Sequence, residues 1–208
     1  MTGPVTVDGP VSDAHFGVVT AEHPVLYRDV EVLCWTERKE TVTERRGDME
    51  RKLDKYHYKC EWVSNFVDSR SFKDQKYNHN VRPNVHSERI GGGQIRVGDY
   101  QVNQGDIESA FGLRKLTDLF KHGQCNVAND REGIWQHDSR NSCLVRQRNP
   151  GRDTVGDVKV SYRVINLGPR ATVLGIPNGN RLDRWSSLST SVMAGIVDKM
   201  TFLQQKTK

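Results

Sequence analysis

The side chains able to do chemistry are plentiful in this chain of 208 residues but scattered. His79 and His86 share one polar stretch, KYNHNVRPNVH, and imidazole readily ligates zinc and related metals. A metal site needs at least a third ligand, which the sequence does not announce, so both read as surface histidines. Cys34, Cys60, Cys125 and Cys143 form no C-x-x-C pair, which argues against a zinc ribbon or a thioredoxin-type motif. Gly91-Gly92-Gly93 could approach a phosphate closely, but no Gly-Lys-Ser/Thr follows and nothing places it between a strand and a helix. There is no G-x-S-x-G elbow, no H-E-x-x-H, no Walker A and no dinucleotide fingerprint. The carboxylates alternate with Lys and Arg, as in TERKETVTERRGDMERKLDK, the pattern of solvated ion pairs. The expectation is a protein that is not an enzyme, with no catalytic residue, no cofactor and no metal.

Composition bounds the partners. A formal charge of +5 and a pI near 9.1 permit nucleic acid or anionic lipid. The basic residues form no uninterrupted run, so only weak, salt-sensitive nucleic-acid binding is expected, with no specific nucleic-acid partner. A soluble basic module for nucleic acid or anionic lipid is the alternative reading, and an unrecognised hydrolase a weaker one. Hydrophobic residues are 35% and charged residues 27%, which implies an ordinary core interrupted by long solvated loops. No stretch approaches the ~20 apolar residues of a membrane-spanning helix. The N-terminal MTGPVTVDGP has neither a basic nor an apolar region of the signal-peptide kind. No N-x-S/T acceptor is present.

The elements read mostly as strands. In RDVEVLCWTERKETVT (28–43), Val30, Val32 and Cys34 alternate with Glu31, Leu33 and Trp35. In KYHYKCEWVSNF (55–66), Tyr56, Tyr58, Cys60 and Trp62 alternate with His57, Lys59 and Glu61. Period two with β-branched and aromatic residues predicts strands. Two such runs around the charged 43–54 segment, with Gly47-Asp48 as its turn signal, predict a long antiparallel hairpin. The aromatic stripe then reads as the buried face of a half-exposed strand. A turn centred on Gly47 sets Cys34 opposite Cys60, within reach of a disulfide, or as two thiols packed as small hydrophobes.

Further on, Ile95, Val97, Tyr100 and Val102 suggest two short strands about a Gly98-Asp99 turn. GDIESAFGLRKLTDLFKHG carries helical spacing over about 106–121, with Asp106 as cap. VGDVKVSYRVINLG alternates strictly, and Asn178-Gly179 marks a hairpin turn. Met193, Ile196, Val197, Met200 and Leu203 share one face of a helix over about 191–205. Together these give an α+β fold dominated by antiparallel sheet, a central long hairpin, one or two short helices and a C-terminal helix. The expected organisation is a single soluble domain, 1–208, with loop-like insertions near 43–53, 73–90 and 137–153.

The order of segments resembles the LUMA, or transmembrane protein 43, family. The most specific piece is Tyr-x-Tyr-x-x-Glu-Trp at Tyr56, Tyr58, Glu61 and Trp62, followed by Ser-x-x-Phe at Ser69 and Phe72. HNVRPN and IRVGDYQV follow in order. Val155-Gly156-Asp157-Val158 then opens a Val-x-Val-Ser-Tyr strand, and GPVTVDGPVSDAHFGV is similar to the family's opening segment. The resemblance implies a hydrophilic domain of a multi-pass protein of the endoplasmic reticulum and inner nuclear membrane, facing the lumen. It implies anchorage through membrane segments outside this chain. It also implies a role in scaffolding, with protein partners of those membranes and possible self-association. It carries no catalytic residues. The cysteines and the 43–54 segment lie outside it.

Overall fold

The computed structural model describes residues 2–47, 49–117, 134–165 and 167–183, with short strand pairs at 186–187, 190–191 and 195–196. In chain order the strands are β1 (Thr2–Asp8), β2 (Val11–Asp13), β3 (Val18–Thr20), β4 (Val25–Arg46), β5 (Met49–Val63), β6 (Glu88–Gly91), β7 (Gln94–Val97) and β8 (Tyr100–Val102). Helix α1 (Gln104–Ala110) follows, then β9 (Leu113–Lys115), β10 (Ile134–Asp138), β11 (Cys143–Gln147), β12 (Val158–Ile165), β13 (Arg170–Thr172), β14 (Ile176–Asn178) and β15 (Arg181–Asp183). Short strands β16 (Ser186–Ser187), β17 (Thr190–Ser191) and β18 (Gly195–Ile196) close the described chain. The mainly antiparallel sheet expected from the alternation is present. Where the sequence reads as one domain, the chain closes into two compact units: 1–28, 88–127 and 162–208 form one, and 29–87 with 128–161 form the other.

The first unit holds a seven-stranded sheet in the order β14-β15-β8-β7-β1-β13-β18, and the small hairpin β2-β3. Its core gathers Val25, Ile95, Val97, Val102, Ile107, Phe111, Ile165, Ala171 and Val173. Gly98 makes the expected β7-β8 turn at φ +58°, a conformation glycine adopts without a Cβ penalty. The helix expected over 106–121 is shorter. It starts at Gln104, where the Asn103 side chain, and not Asp106, accepts from the Gly105 N–H. It ends at Ala110, since Phe111 is already extended, and Gly112 leads into β9. Ile107 and Phe111 share the buried face as their spacing requires. The residues of the expected C-terminal helix, 191–205, lie outside the described part except Ser191 and Gly195–Ile196, which are in short strands.

The same unit buries an ion pair. Arg28 Nη1 donates to Asp13 Oδ2 at 2.8 Å, and the side chains are only 7% and 3% exposed. The hydroxyl of Tyr162, itself fully buried, donates to the same oxygen at 2.7 Å. The other oxygen, Oδ1, accepts the His15 N–H. The second guanidinium nitrogen of Arg28 donates to Glu88 Oε2 at 2.6 Å. Each carboxylate oxygen of Asp13 is thus occupied, the condition under which a buried charge is tolerated.

The second unit is built on the order β10-β11-β12-β4-β5, to which β4 and β12 contribute their residues from 29 and up to 161. The β4-β5 hairpin is continuous from Val32↔Val63 to Arg46↔Met49. This corrects the reading of 43–53 as a loop. Gly47 at φ +59° closes a two-residue turn, and Lys39–Asp54 at 2.8 Å and Arg45–Glu50 at 3.6 Å bridge the strands where apolar pairs are few. The reading of 137–153 as a loop is corrected too. Most of 143–147 pairs with β10 and β12, and the Asp138 carboxylate turns the chain by accepting the Arg140 and Asn141 N–H groups. The strand is hard to see in sequence because one of its buried residues is Arg146, whose guanidinium lies 5.2 Å from the centre of the Trp135 ring.

Removing one partner of the buried pair leaves the other charge unmet, so Asp13→Ala should lower unfolding free energy by about 3–5 kcal/mol. Tyr162→Phe should lower it by about 1.5–3 kcal/mol, the loss of a bond to a charged group. Burial pushes the Asp13 pKa up, but the bonds from Tyr162 and Arg28 outweigh it and hold the group below its ordinary 3.8. A lowered carboxylate stabilises the fold fully above pH 3.8, and the contribution fades as pH falls through the folded value. Urea unfolding of both variants across acid pH checks magnitude and sign.

Candidate functional site

Of the family motif, Tyr58, Ser69, Phe72, Gly156 and Asp157 gather along β4 and the 64–84 segment folded beside it, while Tyr56, Glu61 and Trp62 lie along β5. The edge of β4 turned away from β5 must find partners for outward-pointing amides, because alternate residues face opposite sides of an antiparallel strand. At Leu33 the partners are Asp157 and Gly156: the Leu33 N–H donates to the Asp157 carbonyl and the Leu33 carbonyl accepts the Gly156 N–H, each at 2.9 Å. At Trp35 the partner is a side chain. Asn80 Oδ1 accepts the Trp35 N–H at 2.7 Å, and Asn80 Nδ2 donates to the Trp35 carbonyl at 2.8 Å and to the Val67 carbonyl at 3.0 Å. The amide of Asn80 stands where a neighbouring strand's backbone would be. Its own N–H donates to Ser69 Oγ at 3.0 Å, and Ser69 is buried.

An aromatic group lies beside this clamp. Tyr58 stacks on Tyr77 with ring centres 4.2 Å apart, Trp35 meets Tyr77 edge-on at 4.7 Å, and Phe72 approaches Tyr58 at 6.1 Å. The Tyr58 hydroxyl donates to Glu37 Oε2 at 2.7 Å and accepts the Asp74 N–H at 2.9 Å. Glu37 Oε2 also accepts the Lys73 N–H. Desolvation, then the carboxylate of Glu37, pushes the Tyr58 hydroxyl above its ordinary range, which keeps it a donor. The Trp35 indole N–H donates to His79 Nε2 at 3.2 Å.

The remaining motif residues are also placed. Glu61 accepts from Thr36 and Lys59 and is held below the ordinary carboxylate range by those bonds. Trp62 is half-buried beneath the Lys159 ammonium, 3.7 Å from the ring centre. The stripe Tyr56, Tyr58, Cys60, Trp62 is therefore half-buried throughout and not the closed core face that alternation suggests. Asp157, fully buried, accepts the Arg148 and Thr154 N–H groups. Gly156 sits at φ +93°, and a Cβ there would meet the Arg148 guanidinium at 3.2 Å and Val81 at 3.3 Å. Glycine is required both for its backbone and for the space.

The Cys34–Cys60 opposition is corrected. Cys60 lies opposite Trp35, and Cys34 opposite Glu61. The turn is one half-step longer than a turn centred on Gly47, and a one-residue slip turns facing side chains to opposite faces. Both thiols are free. Burial first, with neighbouring ionisable groups after it, pushes both above the ordinary thiol range, the state of packing residues and not of nucleophiles. Sequence reasoning missed Asn80, Glu37, Tyr77 and Lys159 as parts of this site. Asn80 stands in the HNVRPN segment, and an asparagine amide carries both donor and acceptor at the spacing of a peptide group. No group of three or more His, Cys, Asp or Glu able to hold a metal occurs among the described residues. No helix among them is long and apolar enough to cross a membrane.

What this arrangement defines is a β-rich domain whose polar residues fasten loops to strands. Residues 32–207 match the family model described as Transmembrane protein 43, and the chain belongs to that family. It is 28% identical over 191 residues to Transmembrane protein 43 of Mus musculus, covering 86% of this chain and 45% of that protein. It is 26% identical over 191 residues to that of Pongo abelii, with the same coverage. The chain thus spans about half the length of the curated relatives it matches. No solved structure matches it.

Asn80→Ala removes both partners of the Trp35 backbone and should lower unfolding free energy by about 2–3 kcal/mol. Ser69→Ala, which removes one acceptor from Asn80, should lower it by about 1 kcal/mol. Urea unfolding followed by tryptophan fluorescence gives the order. Wild-type stability in Asn80→Ala would show that Trp35 has no need of this clamp.

Proposed function

We propose that this chain is the lumenal, non-enzymatic scaffolding domain of a multi-pass membrane protein of the endoplasmic reticulum and inner nuclear membrane. The observation that carries the reading is the family membership over 32–207, together with what the family motif residues do here. Tyr58, Ser69, Asn80 and Asp157 each bind backbone and so hold loops in fixed places, and Glu61 bonds Thr36 across the hairpin. Such residues build a rigid surface for partners. The membrane is reached through segments outside this chain, and the partners are proteins of the same membranes.

Topology decides between the lumen and the other side. Asn180→Thr completes an Asn-Gly-Thr acceptor in the exposed β14-β15 turn, and Thr41→Asn completes Asn-Val-Thr on the exposed outer part of β4. N-glycosylation occurs only on the lumenal side. In the full-length protein expressed in cells, both variants should gain a glycan removable by endoglycosidase. Neither variant gaining one, with the protein present in membranes, would contradict the lumenal placement.

A further inference from the structure

The outer part of the β4-β5 hairpin is a two-stranded ribbon whose side chains from Arg38 to Arg45 and from Glu50 to Lys55 are exposed, except the half-buried pair Val42 and Leu53. β5 ends the sheet order, so among the described residues no strand lies beside its outer edge. The Trp35 N–H points away from β5. Alternation along the ladder then gives the outward backbone groups of β5 to Lys52, Asp54, Tyr56 and Tyr58.

The two faces of this edge differ. On one, β5 presents Arg51, Leu53, Lys55, His57 and Lys59 in succession. His57 is met by Glu40 and Lys59 by Glu61. Arg51 and Lys55 stand opposite Glu44 and Glu40 of β4 but close no ion pair with them among the described residues, so the row of β5 nearest the edge is basic while the acids lie one strand inward. On the other face, Asp54 is held by Lys39 and Thr41, and Tyr56 and Tyr58 are half-buried. A strand laid along β5 would set every second residue beside Arg51 and Lys55 and the others beside Tyr56 and Tyr58.

We propose that the outer edge of β5 is a docking site for an extended segment of a partner protein in which acidic residues alternate with apolar ones. Main-chain bonds to the free edge provide affinity, and the charge and aromatic stripes provide register. The same lysines and arginines discourage indiscriminate edge pairing. A second copy laid antiparallel about Leu53 would bring Arg51 against Lys55, like charges directly opposed. The acidic strand is the occupant whose charge fits. This names the partner chemistry of the scaffolding role proposed above and rests on that role for its biology. The binding itself is read on the isolated chain and is independent of which side of a membrane the domain faces.

The test uses the purified chain and three short labelled peptides: alternating Glu and Val, alternating Lys and Val, and the Glu-Val peptide with a central proline that removes a main-chain donor. Fluorescence anisotropy should show binding of the first alone. The double variant Arg51→Glu/Lys55→Glu, checked by thermal melting to be folded, should bind it roughly tenfold or more weakly. Equal binding by that variant, equal binding of the proline peptide, or light scattering that shows a dimer lost in the same variant would each overturn the proposal. A missing glycan in the full-length protein would instead remove the lumenal reading and leave this result standing.

Discussion

A backbone amide withdrawn from water must find a partner, and in the second unit that requirement falls on one strand. β4 is 22 residues long, and along its edge away from β5 the peptide groups of Leu33 and Trp35 are met by elements from far along the chain. The backbone of Gly156 and Asp157 serves Leu33, and the side chain of Asn80 serves Trp35. Both partners need support of their own. Asp157 binds the Arg148 and Thr154 amides, and Asn80 is fixed by Ser69. From this constraint follow the course of the 64–84 segment and the seating of Tyr77 between Trp35 and Tyr58.

The first unit meets a comparable demand with charge. Asp13, Arg28 and Tyr162 come from separate segments and meet at one carboxylate oxygen, so the buried charge of Asp13 depends on both donors. In both units, then, polar side chains fix where loops and strands meet. Apolar burial stabilises each unit, while these bonds select one arrangement of its segments. This is the physical sense in which the motif of a transmembrane protein 43 family member is legible: Tyr58, Ser69, Gly156 and Asp157 are fasteners.

Much of the sheet was readable from alternation. β12, with Val158, Val160, Tyr162 and Val164 all buried, shows period two without interruption, and the Asn178-Gly179 hairpin follows from turn chemistry. The outer end of the ribbon, about 43–54, was not readable as strand. Its strands are held by cross-strand ion pairs and hydrogen bonds, and charged residues on both faces leave no hydrophobic period to find. β11 was obscured by the buried Arg146, which takes the place of an apolar residue by packing on Trp135 and bonding Asn84. The facing of Cys34 and Cys60 failed by one residue, because register depends on how many residues the turn contains. The role of Asn80 was invisible because a side chain that imitates a strand leaves no periodic trace.

The central claim is that β4 is closed at Leu33 and Trp35 and open beyond. Native-state amide hydrogen exchange on the folded chain addresses it most directly. The outward amides of Leu33 and Trp35 should exchange roughly a hundredfold or more slowly than those of Lys39, Thr41 and Thr43, which point the same way and meet no strand or side chain among the described residues. Exchange at Trp35 as fast as at Thr41 would contradict the account.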